Sequence, residues 1–293
     1  MTASPLLRIT CLATTLLSTA CTGLDPAASP QRKETVHAVT HSHRLVSFNA
    51  GRPELFLSDR PLAGLAHGEQ VLGIDYRVAR GELYALTSAG RVGRIEVASG
   101  QFMALGEGRL PLEGERFGFD FNPSADRIRI VSDARQNLRV HPDTGAQVDF
   151  NAEQPGMQPD GTLTYADGDV QYGNKPEIAA AGYTYNKNDE KLTTNFAIDI
   201  ARGSLVRQGS IEGEKPVVSP NSGKLYTVGR LGVADIADAH FDIADLDNTA
   251  LAVFSTAADP AARLHVIDLT TGRATPVGKV GKGEPLRGIA IEP

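Results

Sequence analysis

The chain has 293 residues, 41% of them hydrophobic, and carries 29 Lys and Arg against 35 Asp and Glu, a formal net charge of −6. That length can bury a sizeable core within one β-rich unit, while an acidic balance with no basic run excludes a nucleic-acid-binding face, which needs clustered cations to neutralise phosphates. Both cysteines, Cys11 and Cys21, precede the body of the chain, so neither an internal disulfide nor a Cys-ligated metal is expected there.

The chain opens with Arg8, an apolar run from Ile9 to Leu17, and then Ser18-Thr19-Ala20-Cys21. A basic start, a short apolar stretch and small residues before a cut predict a secretory signal over residues 1–20. The apolar run falls short of the ~20 residues that a permanent bilayer span requires. A Cys directly after small residues resembles a bacterial lipobox, which predicts lipidation at Cys21. Ser18 stands where a Leu is usual, with Leu17 one place off. Plain cleavage, giving a secreted or periplasmic soluble protein, is the alternative. Residues 21–34 then read as the lipidated Cys and a flexible Ala-, Ser- and Pro-containing tether. The expected location is extracytoplasmic, in the cell envelope, with the membrane as a partner through the anchor.

Residues 35–293 read as one domain built from a repeat. Residues 35–49 align with 82–96 at an offset of 47, superposing Ala38 on Ala85 and Thr40 on Thr87. Residues 73–100 fall on 118–145 at an offset of 45 without a gap. There Gly73-Ile74-Asp75-Tyr76 meets Gly118-Phe119-Asp120-Phe121, and Ser99-Gly100 meets Thr144-Gly145. A less regular copy is assigned to Gly161–Tyr165, Ile178–Tyr185, Phe196–Ile200 and Ser204–Gln208. Related Gly-ended turns follow at Ala201-Arg202-Gly203 and Thr270-Thr271-Gly272, and precede them at Asn49-Ala50-Gly51, suiting positions that need positive φ.

The first copy has only the tether in front of it. The strand it lacks stands at the other end of the chain, as Gly288-Ile289-Ala290-Ile291. This predicts an all-β fold, a single β-propeller of about five four-stranded blades, its ring closed by the C-terminal strand pairing with the N-terminal blade. An irregular sandwich or barrel explains the strands but leaves the displaced terminal strand without a reason.

Gly118-Phe119-Asp120-Phe121-Asn122-Pro123, Asp126-Arg127-Ile128-Arg129-Ile130-Val131-Ser132, Gln136-Asn137-Leu138-Arg139, Leu225-Tyr226-Thr227-Val228-Gly229 and Glu284-Pro285-Leu286-Arg287-Gly288 together resemble a bacterial family catalogued as domain of unknown function 4394. The similarity runs from about residue 36 to the end. It implies a secreted, β-rich domain and brings no activity, substrate or catalytic residue with it. Around Asn186 to Thr194 this chain is shorter than the Thr- and Gly-rich loop usual in the family.

Asp75, Asp120 and Asp242 each fall in the first strand of a repeat, which in a propeller lines the central channel. They could converge on a divalent cation such as Ca²⁺ or on a basic ligand. Their recurrence with the repeat equally suits a structural duty, accepting hydrogen bonds from backbone amides or an Arg of a neighbouring blade. Arg127 and Arg129 leave one face of a strand and call for carboxylate partners, with Asp120, Asp126 and Asp133 nearest in sequence. With Asn137 and Arg139 they could instead form a pocket for an anion. His37, His41 and His43 share a face, but self-alignment puts the last two in a turn, so no metal is assigned to them. Asp245, Asp247 and Asn248 read as a solvated turn, because the Gly and distal Glu of a Ca²⁺ loop are absent. No Gly-x-Ser-x-Gly elbow or nucleophilic Cys is present.

The function expected is therefore a non-catalytic, monomeric binding propeller for an unidentified ligand or protein. The alternative is an extracytoplasmic glycan or ester hydrolase using channel carboxylates. No cofactor is expected beyond the divalent cation that those carboxylates could hold.

Overall fold

A computed structural model describes Met1 and residues 31–293, so nearly all of the expected signal segment, Cys21 and most of the expected tether lie outside the described residues. The rest forms five small sheets around an axis. Blade one joins β1 (Thr35–Thr40), β2 (Arg44–Asn49) and β3 (Phe56–Pro61), and blade two is β4 (Val71–Arg77), β5 (Glu82–Thr87), β6 (Val92–Glu96) and β7 (Gln101–Ala104). Blade three is β8 (Phe117–Asn122), β9 (Arg127–Ser132) and β10 (Asn137–Val140), followed by a short β11 (Thr164–Tyr165). Blade four is β12 (Ile178–Tyr183), β13 (Asn195–Asp199), β14 (Ser204–Gln208) and β15 (Lys224–Arg230). Blade five is β16 (Ile236–Ile243), β17 (Ala250–Thr256), β18 (Arg263–Ile267) and β19 (Ala274–Lys279), and β20 (Leu286–Ile291) completes blade one.

The ring closes as the displaced strand requires. Strand β20 pairs antiparallel with β1, Ile289 opposite Ala38, and Ala38 in turn faces Val46 of β2. The five inner strands pack in sequence, β4 on β8, β8 on β12, β12 on β16, β16 on β20 and β20 on β4. Apolar alternation along each strand places the core between blades. One cluster joins Val39 and Leu45 of blade one to Ile74 and Leu83 of blade two, and another joins Leu251 and Leu264 of blade five to Val36 and Ile289. No blade buries both faces without its neighbours.

Glycine lets the inner strands meet at the axis. A Cβ on Gly118 would lie 2.6 Å from the Ala181 amide nitrogen, and one on Gly288 would lie 2.9 Å from that of Ile74. The channel is pinched in its middle, where Gly73, Gly118 and Gly288 line a space of only about 10 Å³ between the two mouths.

Three details differ from the sequence expectation. Blade three has three full strands, and residues 146–148 stand in for the fourth through His141 N–H to Ala146 O (2.8 Å) and Val148 N–H to Arg139 O (2.7 Å). Blade four is shifted by one strand. Its inner strand is β12, its fourth is β15, and the stretch from Gly161 to Tyr165 contributes β11 to the outer edge, parallel to β15. The inner strand reads Ile-Ala-Ala-Ala-Gly-Tyr, without the Gly-x-Asp signature of β4 and β8. Finally, Gly100, Gly145, Gly203 and Gly272 take positive φ, whereas Gly51 does not. Its amide instead donates to the Asn49 side chain at 3.0 Å.

Candidate functional site: carboxylates at one mouth of the channel

Strand geometry puts Asp75, Asp120 and Asp242 at equivalent positions of β4, β8 and β16, near their C-terminal ends. Each carboxylate reaches to the next blade. Asp75 Oδ2 accepts the Phe121 amide (2.7 Å), Asp120 Oδ1 that of Tyr183 (3.0 Å), and Asp242 Oδ2 that of Ile291 (2.5 Å). Asp75 and Asp242 also accept the following amide of their own strand through Oδ1, from Tyr76 at 2.7 Å and Ile243 at 2.6 Å. These bonds set the register between blades, the structural duty that recurrence suggests. Gly182 and Ala290 hold the corresponding positions of β12 and β20, so two of the five junctions lack this bond.

The three carboxylates also converge. One oxygen from each lies within 4.8 Å of the others, and all three residues are buried. A cation at about 2.4 Å from its ligands spans oxygens up to about 4.8 Å apart, which is the range of Ca²⁺. A carboxylate has about four lone-pair directions, so the amide bonds leave capacity for a cation. Asp120 Oδ2 has no donor among the described residues.

Burial and mutual repulsion disfavour the ionised forms. The carboxyls of Asp75 and Asp120 are pushed well above the usual range, by burial first and then, for Asp75, by the charge of Asp242, and for Asp120 by those of Asp75 and Asp242. Burial raises Asp242 to about 6. Asp245, just beyond the end of β16, is raised to about 7 by burial and then by Asp242. Asp245 lies in the expected turn, half-buried, and also lines the cavity above the three carboxylates. Asp247 does cap a turn, accepting the Thr249 amide, and Asn248 exchanges hydrogen bonds with the backbone of Tyr185.

Above this floor opens a cavity of about 330 Å³, lined also by Phe121, Tyr183, Tyr185 and Leu246. Arg77 stands at its rim and gives its charge to Asp126 and Asp143, both at 2.5 Å. The cavity is thus acidic at its base and partly apolar on its walls.

A pH dependence follows. A carboxyl raised in the folded state contributes stability that is complete below its unfolded value and fades as pH rises through its folded value. Buried His37 and His265 are lowered by burial and act in the opposite sense, but only below about 6.5. Between about pH 6.5 and 7.5 the carboxylates govern, with Asp245 titrating at about 7. The melting temperature in a chelator should fall across that window, and a flat or rising profile would remove the premise of repulsion.

Arg129 does not reach the carboxylates nearest in sequence. It donates to Asp160 (2.6 Å), Asn137 (2.8 Å), Asn221 (2.7 Å) and the Tyr183 hydroxyl (3.2 Å). Arg139 clasps the same Asp160, whose side chain is fully buried. Asn137 also donates to Gly161 O (3.0 Å) and accepts from Gln208 (3.0 Å). This network ties blade three to blade four with its polar groups already partnered, which leaves no room for an anion. Arg127 stands apart, donating to the Asp126 carbonyl at 2.8 Å. His37 accepts or donates one bond with Tyr76 at 3.0 Å and is buried, while His41 and His43 are turn residues, His43 at positive φ.

Comparison with known proteins gives one family. A family model described as a domain of unknown function, DUF4394, matches residues 44–290. No curated protein matches. Among solved structures, a protein from Lactobacillus plantarum is 14% identical over 88% of this chain and 71% of its own, with a TM-score of 0.37. TolB from Acinetobacter baumannii is 10% identical over 89% and 67%, with a TM-score of 0.42. Hydrazine synthase from Kuenenia stuttgartiensis is 10% identical over 72% and 49%, with a TM-score of 0.38. None of the three informs the chemistry of this site.

Proposed function

The chain belongs to the DUF4394 family of propeller domains, and from that premise we propose that it is a cell-envelope binding protein, anchored through Cys21, that holds Ca²⁺ on Asp75, Asp120 and Asp242 and receives its ligand in the cavity above. The observation that carries the reading is the convergence of three buried carboxylates, one oxygen from each within 4.8 Å, at the base of a cavity open to solvent. Such an arrangement costs stability without a cation and gains it with one. Calorimetric titration of the mature protein with Ca²⁺ at pH 8 should show one site. Asp120→Asn should weaken it at least tenfold while keeping the fold, because an amide oxygen can still accept the Tyr183 amide. Equal heats for the two proteins would reject the site.

Anchoring rests on the sequence of residues 1–21 alone. Mass analysis of the mature N-terminus should find it beginning at acylated Cys21. A terminus at any other residue would leave a soluble extracytoplasmic protein.

A hydrolase reading draws on one observation, the near-neutral carboxyl of Asp245 beside Asp242, as a general acid requires. The amide bonds that fix the triad to the backbone favour binding over turnover. Hydrolysis of glycosides or esters that Asp245→Asn abolishes would reverse that preference.

A further inference from the structure

We infer that the opposite mouth of the channel is a separate binding site for a small oxyanion, centred on Arg287. This mouth is formed by the N-terminal ends of the inner strands, where Arg116, His240 and Arg287 meet in a crevice of about 40 Å³. That space matches one water-sized group, so only the charged end of a ligand enters it.

The reason lies in what Arg287 lacks. Its Nε is buried without a hydrogen-bond partner, and among the described residues its guanidinium makes no ion pair. Burial lowers its basicity, the mark of a cation short of compensation. An unpartnered buried donor costs as much as a lost hydrogen bond, and more when charged. A neighbouring cation, Arg116, adds to the field. Arg116 donates from Nε to the Ala237 carbonyl (2.7 Å) and reaches Asp133 at 3.3 Å, while His240 bonds the Leu286 carbonyl at 2.9 Å. His41 is lowered by burial first and then by Arg287, which places it in the same field.

The nearby carboxylates do not fill the vacancy at Arg287. Asp238 attracts it through space but turns one oxygen to the Ala239 amide (2.9 Å) and the other to His240 Nε2 (3.6 Å). Glu284 binds the Ser42 amide at 2.5 Å, and Glu115 lies exposed at the rim. A planar guanidinium with free N–H groups selects carboxylate or phosphate oxygens over a spherical ion. The pinch between the inner strands keeps this site apart from the acidic mouth, so it stands whether or not Ca²⁺ binds there.

The test follows the arginine Nε–H resonances of the ¹⁵N-labelled protein while acetate, and separately inorganic phosphate, is added against sodium chloride of equal ionic strength. One resonance, identified as Arg287 by its absence in Arg287→Lys, should move saturably with an oxyanion and not with chloride. Acetate acting at lower concentration than phosphate would mark a carboxylate site, and the reverse a phosphate site. Arg287→Met should weaken oxyanion protection against thermal unfolding at least fivefold. A linear response, one matched by chloride, or one unchanged in both variants would overturn the inference. Should Arg287→Met fail to fold, the wild-type titration still decides.

Discussion

Removal of residues 286–293 is expected to abolish cooperative unfolding altogether, because those residues supply the inner strand of blade one. Leu286, Ile289 and Ile291 are buried against Val36, Val46 and residues of blade five, and Ala290 packs into the cluster shared with blade two. Their loss would strip the edge of β1 and expose both flanking clusters. Side chains of that size are worth roughly 1.5–3 kcal/mol each on burial, against a total stability of about 5–15 kcal/mol. Circular dichroism should show a broad, non-cooperative melt, and adding a synthetic peptide of residues 284–293 should restore a sharp one. A truncated protein that melts cooperatively near the wild-type temperature would mean the ring does not depend on its closure.

Asp160→Asn should be the most damaging single substitution, at about 3–5 kcal/mol, since it leaves a buried Arg129 without its counter-ion. For a domain of this size that corresponds to a fall on the order of 10 °C in melting temperature. The effect belongs to the charge, not to the volume, because Asn is nearly isosteric. Asp160→Asn combined with Arg129→Met should therefore melt above Asp160→Asn alone, as a double-mutant cycle reads it. Additive losses would show that Arg129 and Asp160 act independently.

These two cases mark what the sequence could and could not disclose. The ring was legible because copies with Gly-x-Asp recur at a fixed offset, and because the orphaned strand at Gly288–Ile291 had one place to go. Blade four was obscured by the same logic. Its inner strand replaces the signature with Ala180-Ala181-Gly182, which satisfies the steric need at the axis but leaves no recurring mark. The convergence of Asp75, Asp120 and Asp242 followed from their position in the repeat, whereas the partner of Arg129 did not. Asp160 lies on a loop 31 positions away, and no local pattern links a loop carboxylate to a strand arginine. Asp245 is a turn residue as its sequence suggests, but that the turn faces the cavity is not legible in the local pattern. The signal that would have found it is its place just past the end of an inner strand, where blades two to five line the same mouth.

The central claim is that the three converging carboxylates form a cation site as well as joining the blades. A crystal structure of the mature protein grown with Ca²⁺ at pH 8 tests it directly. The account predicts a density peak about 2.4 Å from an oxygen of each of Asp75, Asp120 and Asp242. Well-ordered carboxylates with no density between them, in crystals saturated with Ca²⁺, would contradict it and leave the trio a purely structural joint.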